Sequence, residues 1–402
     1  MTPSASLIDR SVAPVAPRWM LPVICSAAFL VFAQAFMVAP LFPTLVEALH
    51  SRLGLVGLAA PAYLLSQGLA VLVIGPLSDR LGRRTVILAS LLLFTAFTLA
   101  TALSTGIDGF LAWRVAAGIS AAGVVPISLT LIGDVVPFQL RGRALGWLFG
   151  SIAGGTATGA SVGALLVAVL GWSGLFVLVA ALSATVLLVA VGAGAFPPLA
   201  RPVAPAWSVV GRGYLTLLAQ ARAQRTYAYV LINAVVQSGV YTWLGVYLHQ
   251  RFGLGEVGIG LALMGYGIPG LLFGPVIGRL ADRHGRARII PAGVALTGLC
   301  AMLLAGPFPL VAVQLAIIAL SLGFDLTQPL LAGIVTDLRG NRAQAVGLMA
   351  FTLFVGFGLG SLLFQWALSL GFTTALTTFG AVALFAAAVA LALFRSERPH
   401  AS

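Results

Sequence analysis

Long apolar runs alternate with short polar ones along the chain. Runs long enough to cross a bilayer, at least about 18 residues, fall at 20–45, 54–74, 86–105, 109–135, 144–170 and 173–195. A second set falls at 226–249, 257–277, 289–306, 308–336, 344–369 and 372–394. The pattern predicts an all-α membrane protein with twelve transmembrane helices, six on each side of a polar linker. Several runs contain Gly or Pro, which membrane helices tolerate better than soluble ones.

The two sets repeat one another. Gly75-Pro-Leu-Ser-Asp79-Arg80-Leu-Gly82-Arg83-Arg84 recurs as Gly278-Arg-Leu-Ala-Asp282-Arg283-His-Gly285-Arg286-Ala-Arg288. The offset is 203 residues in a chain of 402, and it also maps Gly57 onto Gly260, Tyr63 onto Tyr266, Pro126 onto Pro329 and Asp134 onto Asp337. An ordered series at one spacing argues for two copies of one unit. The expected domains are an N-terminal six-helix bundle at 1–195, a linker at 196–225 and a C-terminal six-helix bundle at 226–402, the bundles related by pseudo-symmetry.

Composition agrees with lipid as the solvent. Hydrophobic residues make up 60% of the chain and charged ones 8%, against about 25% charged in an ordinary soluble domain. The net charge of +12 invites a nucleic-acid partner. The placement of the charges argues against one, because they sit in loops on one side. With the N-terminus in the cytoplasm, every Arg except Arg52, Arg114 and Arg251 falls in a cytoplasmic segment, as the positive-inside rule requires. An even number of helices returns the C-terminus, with Arg395 and Arg398, to the same side. The first apolar run is too long for a signal-peptide core and reads as a span. The linker carries Arg201, Arg212, Arg222 and Arg225 without an acid. It is expected to lie along the anionic leaflet, with Trp207 and Tyr214 at headgroup level. Cys25 and Cys300 lie in apolar runs and read as small buried residues, not a disulfide or metal site.

The 75–84 segment resembles the loop signature of the major facilitator superfamily, and 278–288 resembles its weaker second copy. Arg114-Val-Ala-Ala-Gly118 resembles the fourth-helix motif of the family's proton-coupled exporters, and Asp134 followed by Arg141-Gly142-Arg143 the usual end of that helix. The nearest subgroup is the twelve-helix bacterial drug and sugar efflux proteins. Two features depart from it. The fifth run, Gly150 to Gly163, lacks the Gly-Pro signature, and the first carries Gln34 where many exporters have an acid. The resemblance implies a secondary active transporter in the bacterial inner membrane, working by alternating access, with both termini cytoplasmic. Proton-coupled export of a small organic compound is the first reading. A uniporter or proton-coupled importer of a sugar or organic acid is the alternative. The implied partners are substrate, protons and membrane lipids, without nucleic acid or cofactor, and a monomer is expected.

The loop signature suggests a latch. Gly75 and Gly82 are expected to allow close approach and a sharp turn. By the resemblance, Asp79 faces the N-terminus of the eleventh helix near 343–345, where a carboxylate is stabilised. Arg80 belongs to the same signature, and Arg83, one turn on from Asp79, is placed to bridge to Asp134. Asp282, Arg283, Arg286 and Asp337 form the second copy. The plainer alternative is that these charges only fix topology.

Of the ten acids, only Asp325 lies well inside a span. A carboxylate there is costly and calls for a reason. By the resemblance, the first, fourth, seventh and tenth helices line the cavity, so Asp325 is the expected proton- or substrate-binding group. The alternative is a permanently protonated acid bonded near Thr327 or Gln328. Arg114 is the only base within a span. Either it tunes proton affinity or meets an anionic part of the substrate, or it snorkels outward. Gln34, Tyr63, Gln67, Asn233, Gln237, Tyr241, Trp243, Tyr266 and Gln328 complete the candidate cavity. Asn233, Gln237 and Tyr241 share one helix face. The Gly-rich fifth and eleventh helices are expected to cross at the interface between halves. No His-Glu-x-x-His occurs and all four His lie at loops or ends, so an enzyme is not expected.

Overall fold

A computed structural model describes residues 17–197, 206–270 and 285–397. Among these the chain is all-α, and ten helices are long and apolar enough to cross a membrane. It is a multi-pass membrane fold. Eleven of the twelve predicted runs coincide with such a helix or part of one; the described part of the run at 257–277 holds a shorter helix followed by turns.

In chain order the helices are α1 (Met20–Phe36), α2 (Phe42–Ala48), α3 (Leu53–Val56), α4 (Ala59–Leu81), α5 (Arg83–Ala102), α6 (Ile107–Ala121), α7 (Val125–Val135) and α8 (Phe138–Gly192). There follow α9 (Trp207–Leu218), α10 (Ala221–Phe252), α11 (Glu256–Leu263), α12 (Arg286–Ala305), α13 (Leu310–Thr336), α14 (Arg342–Ala367) and α15 (Phe372–Leu393). The 55 residues of α8 would reach about 80 Å at 1.5 Å per residue, far beyond a hydrocarbon core of about 30 Å. Gly171, at φ 69°, breaks the helix into two stretches of spanning length.

Within the N-terminal half α1 packs on α8, α4 on α6, and α5 on both α6 and α8. Within the C-terminal half α10 packs on α14, and α12 on both α13 and α15. The halves meet where α4 packs on α14, α11 on α8, and α10 on the turn at 39–41. The two Gly-rich helices therefore do not cross each other as expected. Each meets a different helix of the opposite half: α8 packs on α11, and α14 on α4. Gly159 lies against the α1 backbone, where a Cβ would stand 2.5 Å from the Ala33 carbonyl oxygen, while Gly260 of α11 is pressed against the Ser161 carbonyl of α8.

The internal repeat is visible in local structure. Gly82 and Gly285 both turn at positive φ, 91° and 79°, and each opens a helix of 20 residues. The linker holds a helix, α9, not marked by the apolar pattern. It is docked on protein: Leu217 is buried, and Tyr214 packs with it against α14. Trp207 is half exposed beneath the Arg80 guanidinium, 4.4 Å from its ring centre. Gln220 Nε2 donates to the Arg339 carbonyl at 2.8 Å. Cys300 is buried and Cys25 partly so, both as free thiols.

Candidate functional site

The Arg-rich end carries the latch residues. Arg83 pairs with Asp134, stands 4.0 Å from Asp79 and donates to the Thr130 carbonyl. Arg286 pairs with Asp337 at 2.8 Å. These are the same pair one repeat apart. Asp282 and Arg283 lie outside the described residues. Gly82 makes the sharp turn. Gly75 makes no close approach among the described residues, where a Cβ would meet nothing within 4 Å. The start of α14 is capped by its own Asn341, whose Oδ1 accepts from Ala343 and Gln344 N–H. Asp79 does not fill that place.

The predicted cavity residues separate into two clusters. In the N-terminal half, Arg114 is completely buried. Its Nε donates to the Ala59 carbonyl at 3.0 Å, Nη1 to Gln34 Oε1 at 2.9 Å and to the Gln34 carbonyl, and Nη2 to the Ala35 carbonyl. The Tyr63 ring lies 4.5 Å from the guanidinium, and its hydroxyl donates to the Val31 carbonyl. Arg114 therefore does not snorkel. It ties α1, α4 and α6 together. Gln67 is buried along α4, its Oε1 without a protein partner among the described residues.

In the C-terminal half, Asp325 lies mid-way along α13. Its Oδ2 accepts from the Ser321 hydroxyl at 3.2 Å, and the carboxylate also accepts from the Gly270 N–H. Thr327 is not its partner: that hydroxyl accepts from the Asn233 amide at 2.6 Å and donates to the Phe324 carbonyl at 2.8 Å. Gln237 Nε2 donates to the Tyr266 hydroxyl, and Tyr266 stacks on Tyr241 with centres 4.0 Å apart. Gln237 Oε1, the Tyr241 hydroxyl, Asn233 Oδ1 and both amide atoms of Gln328 are buried without a protein partner among the described residues. Trp243 stands apart. Its indole N–H donates to the Ser361 carbonyl, and its ring packs on Phe42 near the Arg-poor end.

Aromatic rings that sequence reasoning missed join the two clusters. Phe36 meets Tyr241 at 5.8 Å and Phe357 at 5.9 Å, Phe32 meets Phe354, and Phe324 meets Phe357. The signal was present as Phe32/Phe36 and Phe354/Phe357, one helical turn apart on opposite halves. The Arg-poor end is drawn shut. Thr44 Oγ1 donates to Glu256 Oε1 at 2.9 Å, Gln365 Nε2 donates to the Gly54 carbonyl at 2.7 Å, and Gly245 is pressed against Pro40.

Twelve-run architecture, repeated ion pairs and a polar mid-membrane site are joined by a direct match. The family model described as Major Facilitator Superfamily covers residues 24–272 and 252–402. The chain belongs to the major facilitator superfamily. A chloramphenicol resistance protein of Streptomyces lividans is 28% identical over 84% of this chain and 86% of its own length. Multidrug resistance protein 1 of Bacillus subtilis (strain 168) is 24% identical over 81% of this chain and 84% of its own. A POT family transporter crystallised with 5-aminolevulinic acid superposes with a TM-score of 0.80 at 15% identity, over 96% of this chain and 99% of that one. As a member of the superfamily the chain is a secondary transporter and not an enzyme.

Proposed function

We propose that this superfamily member exports a small organic compound in exchange for protons by alternating access. Its two six-helix bundles, 1–195 and 226–402, rock about the interface formed by α4 with α14 and α8 with α11. The linker 196–225 and both termini lie on the cytoplasmic side of a bacterial inner membrane, and the unit is a monomer among membrane lipids. On that orientation the contacts of Thr44, Gly54 and Pro40 close the outer side. The half-exposed Asp79, Asp134 and Asp337 then face the cytoplasm with the latch to α14 released.

The observation that carries the reading is Asp325. It is a carboxylate mid-way along α13, hydrogen-bonded to Ser321 and beside Tyr266. An acid at that depth is costly unless it is used. It takes a proton from one side and gives it up to the other, while Asn233, Gln237, Tyr241, Gln328, Gln34 and Gln67 offer polar contacts to the substrate. Arg114 and Tyr63 hold the N-terminal wall of the site.

The test is transport by purified protein in liposomes with a proton gradient and a pH-sensitive dye. Chloramphenicol, named for the Streptomyces lividans relative, is the first probe, followed by a panel of small organic compounds. Asp325→Asn is expected to insert normally and to lose gradient-driven transport. Gradient-driven flux that survives in this variant removes Asp325 from the mechanism. Counterflow that ignores the gradient in the parent protein favours a uniporter.

A further inference from the structure

The eighth span is interrupted where it passes Asp325. Helix α11 ends at Leu263, residues 264–267 form turns, and helix resumes at Ile268. Gly267 sits at φ 86°, which a residue with a Cβ adopts only at a cost. The sequence pattern predicts an uninterrupted run from 257 to 277, so the break is a feature of the folded protein. Such a break frees backbone N–H groups at membrane depth, where each needs a partner.

The tenth span supplies partners for two of them. Gly267 N–H donates to Ser321 Oγ at 3.1 Å, and that hydroxyl donates onward to Asp325 Oδ2 at 3.2 Å. Gly270 N–H donates to the same carboxylate. A Cβ on Gly270 would stand 2.9 Å from Oδ2 and 3.0 Å from Cγ, so the carboxylate lies flat on a bare glycine. Tyr266 is a titratable neighbour of Asp325 among the described residues, its hydroxyl taken by Gln237. The charges on the other helices packed against α13 lie near their ends. On α10 they are Arg222 and Arg225, bound to Glu397, with His249 and Arg251 at the far end. On α12 they are Arg286, bound to Asp337, and Arg288. On α14 the charge is Arg342, and on α11 it is Glu256, bound by Thr44.

We propose that Ser321 and Gly270 are positioning residues that seat the Asp325 carboxylate on the break of the eighth span, so that proton binding there is transmitted to this span. An ionised carboxylate only accepts, and its charge-assisted bonds are about twice as strong as neutral ones. Taking up a proton therefore weakens the hold of both donors and loosens the contact between α13 and the break. The proposal rests on Asp325 being the coupling group.

The test is the pH profile of gradient-driven transport in liposomes. Ser321→Ala is expected to move the pH of half-maximal transport by about half to one unit, one hydrogen bond's worth. Ser321→Thr, which keeps the hydroxyl, leaves it in place, and Gly270→Ala moves it by displacing the carboxylate. A profile unmoved in both Ser321→Ala and Gly270→Ala, with only the maximal rate reduced, overturns the proposal. Should Ser321→Ala fail to insert, Ser321→Cys, with its weaker donor, reads the same shift, and an unmoved profile there is equally fatal. Asp325→Asn is measured alongside. If it loses gradient-driven flux while the Ser321 and Gly270 profiles stay put, only the seat falls. If it keeps that flux, the coupling role and the seat fall together.

Discussion

Arg114 and Asp325 are both charged residues at membrane depth, and their surroundings differ in kind. Arg114 is enclosed by acceptors: the carbonyls of Ala59, Gln34 and Ala35, the Gln34 side chain, and the face of Tyr63. The acceptors come from two neighbouring spans, so the guanidinium acts as a brace. A planar fork reaches three directions at once, and an ammonium does not reproduce it. Arg114→Lys is therefore expected to lower stability by on the order of 3 kcal/mol, read as a lower melting temperature in detergent by tryptophan fluorescence. A melting temperature equal to the parent's would show that these bonds contribute nothing. Asp325 is held more loosely, by one hydroxyl and one backbone N–H, beside buried polar atoms with room for further bonds. That contrast separates a structural charge from one suited to changing state.

At the scale of elements, the turn at Arg395–Glu397 is pinned to the start of α10. Glu397, its side chain only 6% exposed, receives Arg222 through two bonds of 2.8 Å and Arg225 through one of 2.5 Å. Arg225 also lies over the Phe394 ring. The Arg222 guanidinium, hydrogen-bonded to Glu397, holds its carboxyl below the usual range. A carboxyl depressed in the folded state stabilises above its unfolded value, about 4.3. That contribution is lost as pH falls through the lower folded value. Glu397→Gln is accordingly expected to melt at a lower temperature than the parent at pH 7, with the gap closing below about pH 4. A gap constant with pH would assign the effect to packing instead of charge. Close helix contacts are set by glycine in the same region: a Cβ on Gly356 would stand 2.7 Å from Ala234 Cβ, which keeps α14 flush against α10.

For the whole molecule, the decisive feature is where the halves touch. At the Arg-poor end the ties are specific and short, Thr44 to Glu256 and Gln365 to Gly54. Glycines let the halves approach closely elsewhere, at Gly260 of α11 against the Ser161 carbonyl and at Gly68 of α4 against the Val355 backbone. Such an interface permits rocking once the end ties release. With Cys25 and Cys300 replaced by Ala, the pair Thr44→Cys and Glu256→Cys is expected to cross-link under mild oxidation. Transport should stop, and a reductant should restore it. Transport that continues through the cross-linked protein would show that this end does not open in the cycle.

The sequence by itself determined most of the spans, the repeated motif and the charge pairs Arg83–Asp134 and Arg286–Asp337. Partition into lipid is a property of a local run of about 20 residues, and the pairs come from a motif written twice. It also marked Asp325, because a lone acid in an apolar run is conspicuous in any fold. Only the tertiary structure decided what each polar group meets. Arg114 finds its acceptors 55 to 80 residues away. Trp243 is drawn into the contact at the Arg-poor end, and Ser321 becomes a relay because Gly267 breaks the neighbouring span. Hydrogen bonds are short and directional. Their partners follow from the rotation and register of packed helices, which the side chains of both neighbours fix together and neither run specifies alone.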